Sequence, residues 1–153
     1  KLQASDIDGL FIKMYREFPQ QGKLQFKTVF NALLDNERVI YHCSAGKDRT
    51  GVMTYLILSA LGVHYDDIME NYLLSNQYAE SLHELFANHR AANGQDSKMS
   101  EELAKVFQKV RYVDASYLDA LDQLLKREYG GVETYLEKEL QVDIPALKSQ
   151  LLR

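Results

Sequence analysis

Apolar residues recur along this chain at helical spacing, with one interruption. Over residues 5–18, Ile7, Leu10, Phe11, Met14, Tyr15 and Phe18 form a stripe that predicts an amphipathic helix. Ser5 or Asp6 can cap it, and Gly9 weakens it. Residues 19–22, from Pro19 to Gly22, predict a turn. A second stripe over residues 24–36 puts Phe26, Val29, Phe30, Leu33 and Leu34 on one face. Residues 39–41 then break the period. Val39, Ile40 and Tyr41 stand in a row and predict a short buried strand. Residues 50–61 are apolar nearly all round, which predicts a buried helix ending at Gly62.

Beyond Gly62 the pattern is helical throughout. Helices are expected over residues 65–74, 77–90, 101–110, 115–129, 132–140 and 145–152. Asp114 is placed as an N-cap and Gly130 as a C-cap. Asp143 caps a helix with Pro145 in its first turn. Residues 91–100 are polar and form the best internal hinge. The helix over 24–36 followed by the strand reads as half of a right-handed crossover.

The stretch from His42 to Gly51, between the strand and the buried helix, carries the chemistry. It reads His-Cys-Ser-Ala-Gly-Lys-Asp-Arg-Thr-Gly. A strand feeding a glycine-bearing loop and then a helix N-terminus is an anion site, because loop amides and the helix dipole point at the same place. Cys43 is the chain's single cysteine. An ordinary thiol ionises near ~8.5, and a helix N-terminus with nearby cations can lower that to roughly 3.5–7.5. Arg49 sits six positions on, so the loop can curl between them and the amides from Ser44 to Arg49 converge. Its guanidinium can then grip two phosphoryl oxygens as a fork. Thr50 is placed to donate its hydroxyl to the thiolate, and Gly46 admits a phosphate close to the backbone. A nucleotide-binding loop is excluded on spacing, since Lys47 is followed by Asp48 and not by Ser or Thr.

The run from His42 to Gly51 resembles the His-Cys-x5-Arg-Thr/Ser loop of cysteine-dependent protein tyrosine phosphatases. Its wording is most similar to bacterial tyrosine and lipid phosphatases of the kind secreted by Mycobacterium and Listeria. The stretch from Val113 through Tyr129 to Leu140 is similar to that family's helical end. The resemblance implies an α/β fold, three-layered around a central, mostly parallel sheet. It implies two-step hydrolysis, with Cys43 as nucleophile and Arg49 with the amides of Ser44, Ala45, Gly46, Lys47 and Asp48 holding the phosphate. His42 and Thr50 would tune and position the sulfur. It also implies Asp48 as general acid. The residues themselves leave open a structural Asp48, paired with Lys47 or a helix amide. Asp6 and Asp8 read as helix caps or first-turn carboxylates, with an acid on a mobile loop as the other reading. Lys47 adds positive charge at the pocket rim and would suit phosphoinositide head groups. Dual action on phosphotyrosine proteins and phosphoinositides, releasing inorganic phosphate, is what the subgroup implies. The alternative is a catalytically silent phosphate-binding module.

Bulk properties narrow the classes. A chain of 153 residues is long enough for one real core. The formal charge of −4 argues against a general nucleic-acid binder. No apolar run is long enough to span a membrane. The expected localisation is cytoplasmic, or secreted if a preceding segment carries a signal. No cofactor and no metal are expected, because the loop and Arg49 supply the electrostatics. His83 and His89 are six apart, which is not a helical ligand pair. One cysteine leaves no second thiol for redox cycling, which counts against arsenate reduction. Only one strand is legible, so the chain reads as the C-terminal part of a single phosphatase domain over 1–153, with the other strands upstream. Within it, residues 76–110 are a candidate lid and 111–153 a helical extension.

Overall fold

The computed structural model of the chain describes residues 4–79, 81, 105–106 and 109–152. Its elements are helices: α1 (Ala4–Gln21), α2 (Lys23–Leu34), α3 (Asp48–Leu61) and α4 (Tyr65–Leu73), then α5 (Ala115–Leu124), α6 (Val132–Thr134) and α7 (Ile144–Leu151). α5 and α6 each run on into a wider π-helical stretch, Leu125–Tyr129 and Tyr135–Glu139. α1 lies along α5, and α3 packs against α4, α6 and α7. The core between them is aromatic and leucine-rich, with Tyr15, Phe30, Tyr55, Leu118, Leu121, Leu136 and Leu147 fully buried. The apolar face of each stripe supplies these residues, which is why the helices converge there.

Polar groups in this core are paired. Asp122 is buried, and it accepts a hydrogen bond from the Tyr55 hydroxyl at 2.9 Å and an ion pair from Lys126 at 2.7 Å. Among the described residues, every buried side-chain nitrogen or oxygen has a hydrogen-bond partner.

Caps follow the expected residues. Asp114 accepts from Ser116 N at 2.9 Å, and Asp143 accepts from Ala146 N at 2.9 Å. Gly62 and Gly130 end their helices in the left-handed region, at φ 87° and 79°. Two helix ends take the same conformation without glycine, at Asn36 (φ 62°) and Gln141 (φ 58°).

Three expectations are corrected. The turn over residues 19–22 is the last turn of α1, which runs through Pro19 to Gln21. Pro19 lacks a donor and disfavours a helix interior, but it sits in the last turn of α1, where its own carbonyl accepts from the buried Tyr135 hydroxyl at 2.8 Å. The expected strand over residues 39–41 forms no ladder among the described residues, and Ile40 is 93 % exposed. A strand exists only through hydrogen bonds to a neighbour, and among the described residues there is none. The anticipated sheet is therefore not seen among the described residues. Third, α3 begins at Asp48, two residues earlier than the apolar pattern indicates. The candidate lid over 76–110 and the two histidines, His83 and His89, lie largely or wholly outside the described residues.

Candidate active site

The loop from Cys43 to Lys47 delivers the chain into the N-terminus of α3. Gly46 turns it at φ 69°, a conformation that L side chains rarely adopt. α3 is fixed beneath the loop because Val52, Met53, Tyr55 and Leu56 are buried on it. Its first-turn amides therefore point at a fixed place, with the positive end of the helix dipole behind them.

Cys43 Sγ sits at that place. The Thr50 hydroxyl donates to it at 3.2 Å. Burial alone would push the thiol up. The Thr50 hydroxyl and the backbone amides of Thr50, Gly46 and Ala45 outweigh it and bring the pKa down to about 7. Arg49 is exposed and donates from Nη2 to Ser44 Oγ at 3.3 Å, so its guanidinium stands over the loop. His42 is exposed, with Nδ1 3.3 Å from the Cys43 carbonyl oxygen. A cleft of about 340 Å³ opens beside the thiol, where Cys43, Arg49 and Thr50 face Phe18, Phe26 and Met53.

Lys47 and Asp48 turn the other way. Lys47 is only 8 % exposed, where the sequence put it at the pocket rim. Its ammonium lies 2.9 Å from Asp48 Oδ1, 2.8 Å from Oδ2 and 4.7 Å from the centre of the Phe11 ring. Asp48 Oδ1 also accepts from the Tyr15 hydroxyl at 3.1 Å, and Tyr15 Oη is 2.7 Å from Tyr72 Oη. Burial, foremost, raises the pKa of Tyr15 and Tyr72, so both phenols keep their protons. A smaller pocket of about 90 Å³ on this side is lined by Gly46, Lys47, Thr50, Gly51 and Tyr72 among others. Asp8 lies on α1, where the Lys109 ammonium, at 2.8 Å, and the Tyr117 hydroxyl, at 2.6 Å, hold its carboxyl below the usual range.

The structure thus gathers Cys43, Ser44, Arg49 and Thr50 around one point and sets Lys47 and Asp48 beneath the loop. Tyr15 and Tyr72 were missed in the sequence. Tyr15 reads there as one more member of an apolar stripe, and 57 residues separate it from Tyr72. Among the described residues, no group of three His, Cys, Asp or Glu side chains could hold a metal ion. No helix there is long and apolar enough to cross a membrane.

A sequence model of the tyrosine phosphatase family matches residues 1–153. A Cupriavidus necator protein named among the tyrosine-protein phosphatases is 33 % identical over 155 residues, spanning 99 % of this chain and 54 % of the relative. The triple specificity protein phosphatase PtpB of Mycobacterium tuberculosis is 35 % identical over 130 residues, 80 % of this chain and 46 % of PtpB. A tyrosine-protein phosphatase of Nostoc commune is 34 % identical over 139 residues, 90 % of this chain and 46 % of the relative. The chain spans about half the length of these curated relatives.

Proposed function

This chain belongs to the tyrosine phosphatase family, and from that premise we propose that it hydrolyses phosphate monoesters through a cysteinyl-phosphate on Cys43. Phosphotyrosine in proteins is the first substrate class and phosphoinositides the second. The observation that carries the reading is the Thr50 hydroxyl on Cys43 Sγ at 3.2 Å, with a thiol pKa of about 7. Near neutral pH such a thiol is about half thiolate, the form that attacks. A binding module without turnover would keep Arg49 and the amides but would have no use for an activated sulfur.

In the first step the Cys43 thiolate forms a bond to phosphorus as the phosphorus–oxygen bond to the leaving group breaks. Arg49 and the loop amides hold the equatorial oxygens, whose charge is redistributed in the transition state. We assign Asp48 as the acid that gives its proton to the leaving oxygen. In the second step Asp48 takes a proton from water as that water attacks phosphorus. The sulfur–phosphorus bond breaks, and inorganic phosphate and the thiolate are released.

The phosphoinositide class draws on the name of the PtpB relative, which describes a triple specificity phosphatase. The open cleft beside Cys43 gives room for a group larger than a phenyl ring. The α/β sheet of the fold is likewise proposed on the family.

The test is hydrolysis of p-nitrophenyl phosphate by the wild-type protein and by Cys43→Ser. Release that disappears in the variant, while phosphate still binds, supports the cysteinyl-phosphate route. Equal release in both proteins, or none from folded wild type, overturns it. A panel of phosphotyrosine peptide and phosphoinositide then sorts the substrate classes.

A further inference from the structure

Tyr15 is fully buried, yet its hydroxyl reaches the loop. Burial keeps that hydroxyl protonated, so its single proton is donated to Asp48 Oδ1. The 2.7 Å contact between Tyr15 Oη and Tyr72 Oη then has only one consistent direction. Tyr72 donates and Tyr15 accepts. Two helices thus feed one chain of hydrogen bonds, from α4 through α1 to the first residue of α3.

The chain treats the two oxygens of Asp48 differently. Oδ1 accepts from both Tyr15 and Lys47, whereas Oδ2 has Lys47 alone. Oδ2 therefore keeps one lone pair open, whereas Oδ1 has none. The side chain cannot swap the two oxygens without breaking the bond to Tyr15. Tyr15 in turn cannot retreat, because its ring is wedged against Phe18, Tyr72 and Tyr117. Gly51 completes the device. A Cβ there would meet the Tyr72 ring at 2.9 Å, so glycine is what lets Tyr72 come close enough to hold Tyr15.

We propose that Tyr15, backed by Tyr72, is the positioning residue for Asp48, holding its carboxyl in one orientation through the bond to Oδ1. This rests on the reading of Asp48 as the acid and goes one residue beyond it. Tyr15 touches neither substrate nor phosphorus, and it acts through the orientation of the proton donor.

The discriminating readout is leaving-group dependence. Phenol is a poor leaving group and needs the proton; 2,4-dinitrophenolate needs none. In Tyr15→Phe the ring and its packing stay and only the hydroxyl goes. The expected result is a fall of about ten-fold in kcat/KM for phenyl phosphate, and less than about two-fold for 2,4-dinitrophenyl phosphate. Equal losses on both substrates, or none on either, overturn the proposal. Asp48→Asn is run in the same pair. If Asp48→Asn steepens the leaving-group dependence and Tyr15→Phe does not, the acid reading stands and Tyr15 alone is rejected. If Asp48→Asn leaves the dependence unchanged, the acid assignment fails and Tyr15 with it. Adding Tyr15→Phe to Asp48→Asn brings no further loss if the two act as one unit. Should Tyr15→Phe not fold, Tyr72→Phe decides. A smaller loss confined to phenyl phosphate supports the chain of bonds, and an unchanged ratio between the two substrates overturns it.

Discussion

At the scale of the residue, Cys43 shows how opposing effects settle a pKa. Burial works against the thiolate, and four hydrogen bonds, from Thr50 and from three backbone amides, work for it. The hydrogen bonds win, and the folded thiol lies at about 7, below its ordinary value. The sign of the pH dependence follows. Thiolate is present above about pH 7 and is lost as the pH falls through that value. Alkylation by iodoacetamide is expected to rise through a midpoint near pH 7 in the native protein. In Thr50→Val the shape is kept and the hydroxyl is lost, so the midpoint moves up by about one pH unit, the equivalent of one hydrogen bond to a charged group. A midpoint that stays put in the variant would assign the shift to the backbone alone. This part of the site was legible in the sequence, because Cys43 and Thr50 sit in one loop and their spacing constrains them. Tyr15 and Tyr72 were not, because a hydroxyl at the end of a buried ring leaves no mark on a hydrophobic pattern.

At the scale of the element, α3 is the piece on which the site depends, and at Gly51 it packs closely against α4. Gly51 lies in a helix interior, a position where alanine would ordinarily add about 1 kcal/mol through helix propensity. Here a Cβ would come within 2.9 Å of the Tyr72 ring, which is buried and tied by its hydroxyl to Tyr15. Overpacking of this kind costs about 1–3 kcal/mol, so Gly51→Ala is expected to be neutral to destabilising by about 2 kcal/mol. Urea unfolding measures it, and a gain in stability would show that Tyr72 moves freely. Helix ends were readable where a single residue carries the signal, as at Gly62, Asp114, Gly130 and Asp143. The helix expected over 132–140 ends where it should, but the left-handed turn after it, at Gln141 (φ 58°), has neither glycine nor asparagine to announce it. Pro19 misled for the same reason in reverse. Its local preference says turn, but a long-range bond from Tyr135 takes up its carbonyl within α1. Residues 39–41 have the composition of a strand, but a strand is a property of a pair, and no local pattern reports the partner.

At the scale of the whole molecule, three helices meet at one loop. α1 brings Phe11 and Tyr15, α4 brings Tyr72, and α3 brings Asp48, Arg49 and Thr50. Lys47 closes the group by lying between the Asp48 carboxylate and the face of Phe11. An anion held by the loop would therefore bear on packing between elements far apart in the chain, and its binding energy adds to the stability of the fold. For a ligand bound only by the native state, a concentration of 100 times Kd adds about 2.7 kcal/mol. In a domain of this size each kcal/mol moves Tm by about 2–4 °C. Inorganic phosphate, the expected product, should thus raise Tm by roughly 5–10 °C at saturation. Cys43→Ser should keep that rise, because the amides and Arg49 do the holding. Arg49→Ala should lose most of it, and its own Tm without phosphate should barely change, since an exposed guanidinium with one 3.3 Å contact to Ser44 contributes little to the fold. Differential scanning fluorimetry over a phosphate series reads all three proteins. If Arg49→Ala is stabilised by phosphate as much as wild type, the anion binds elsewhere on the molecule, and the role given to Arg49 is wrong.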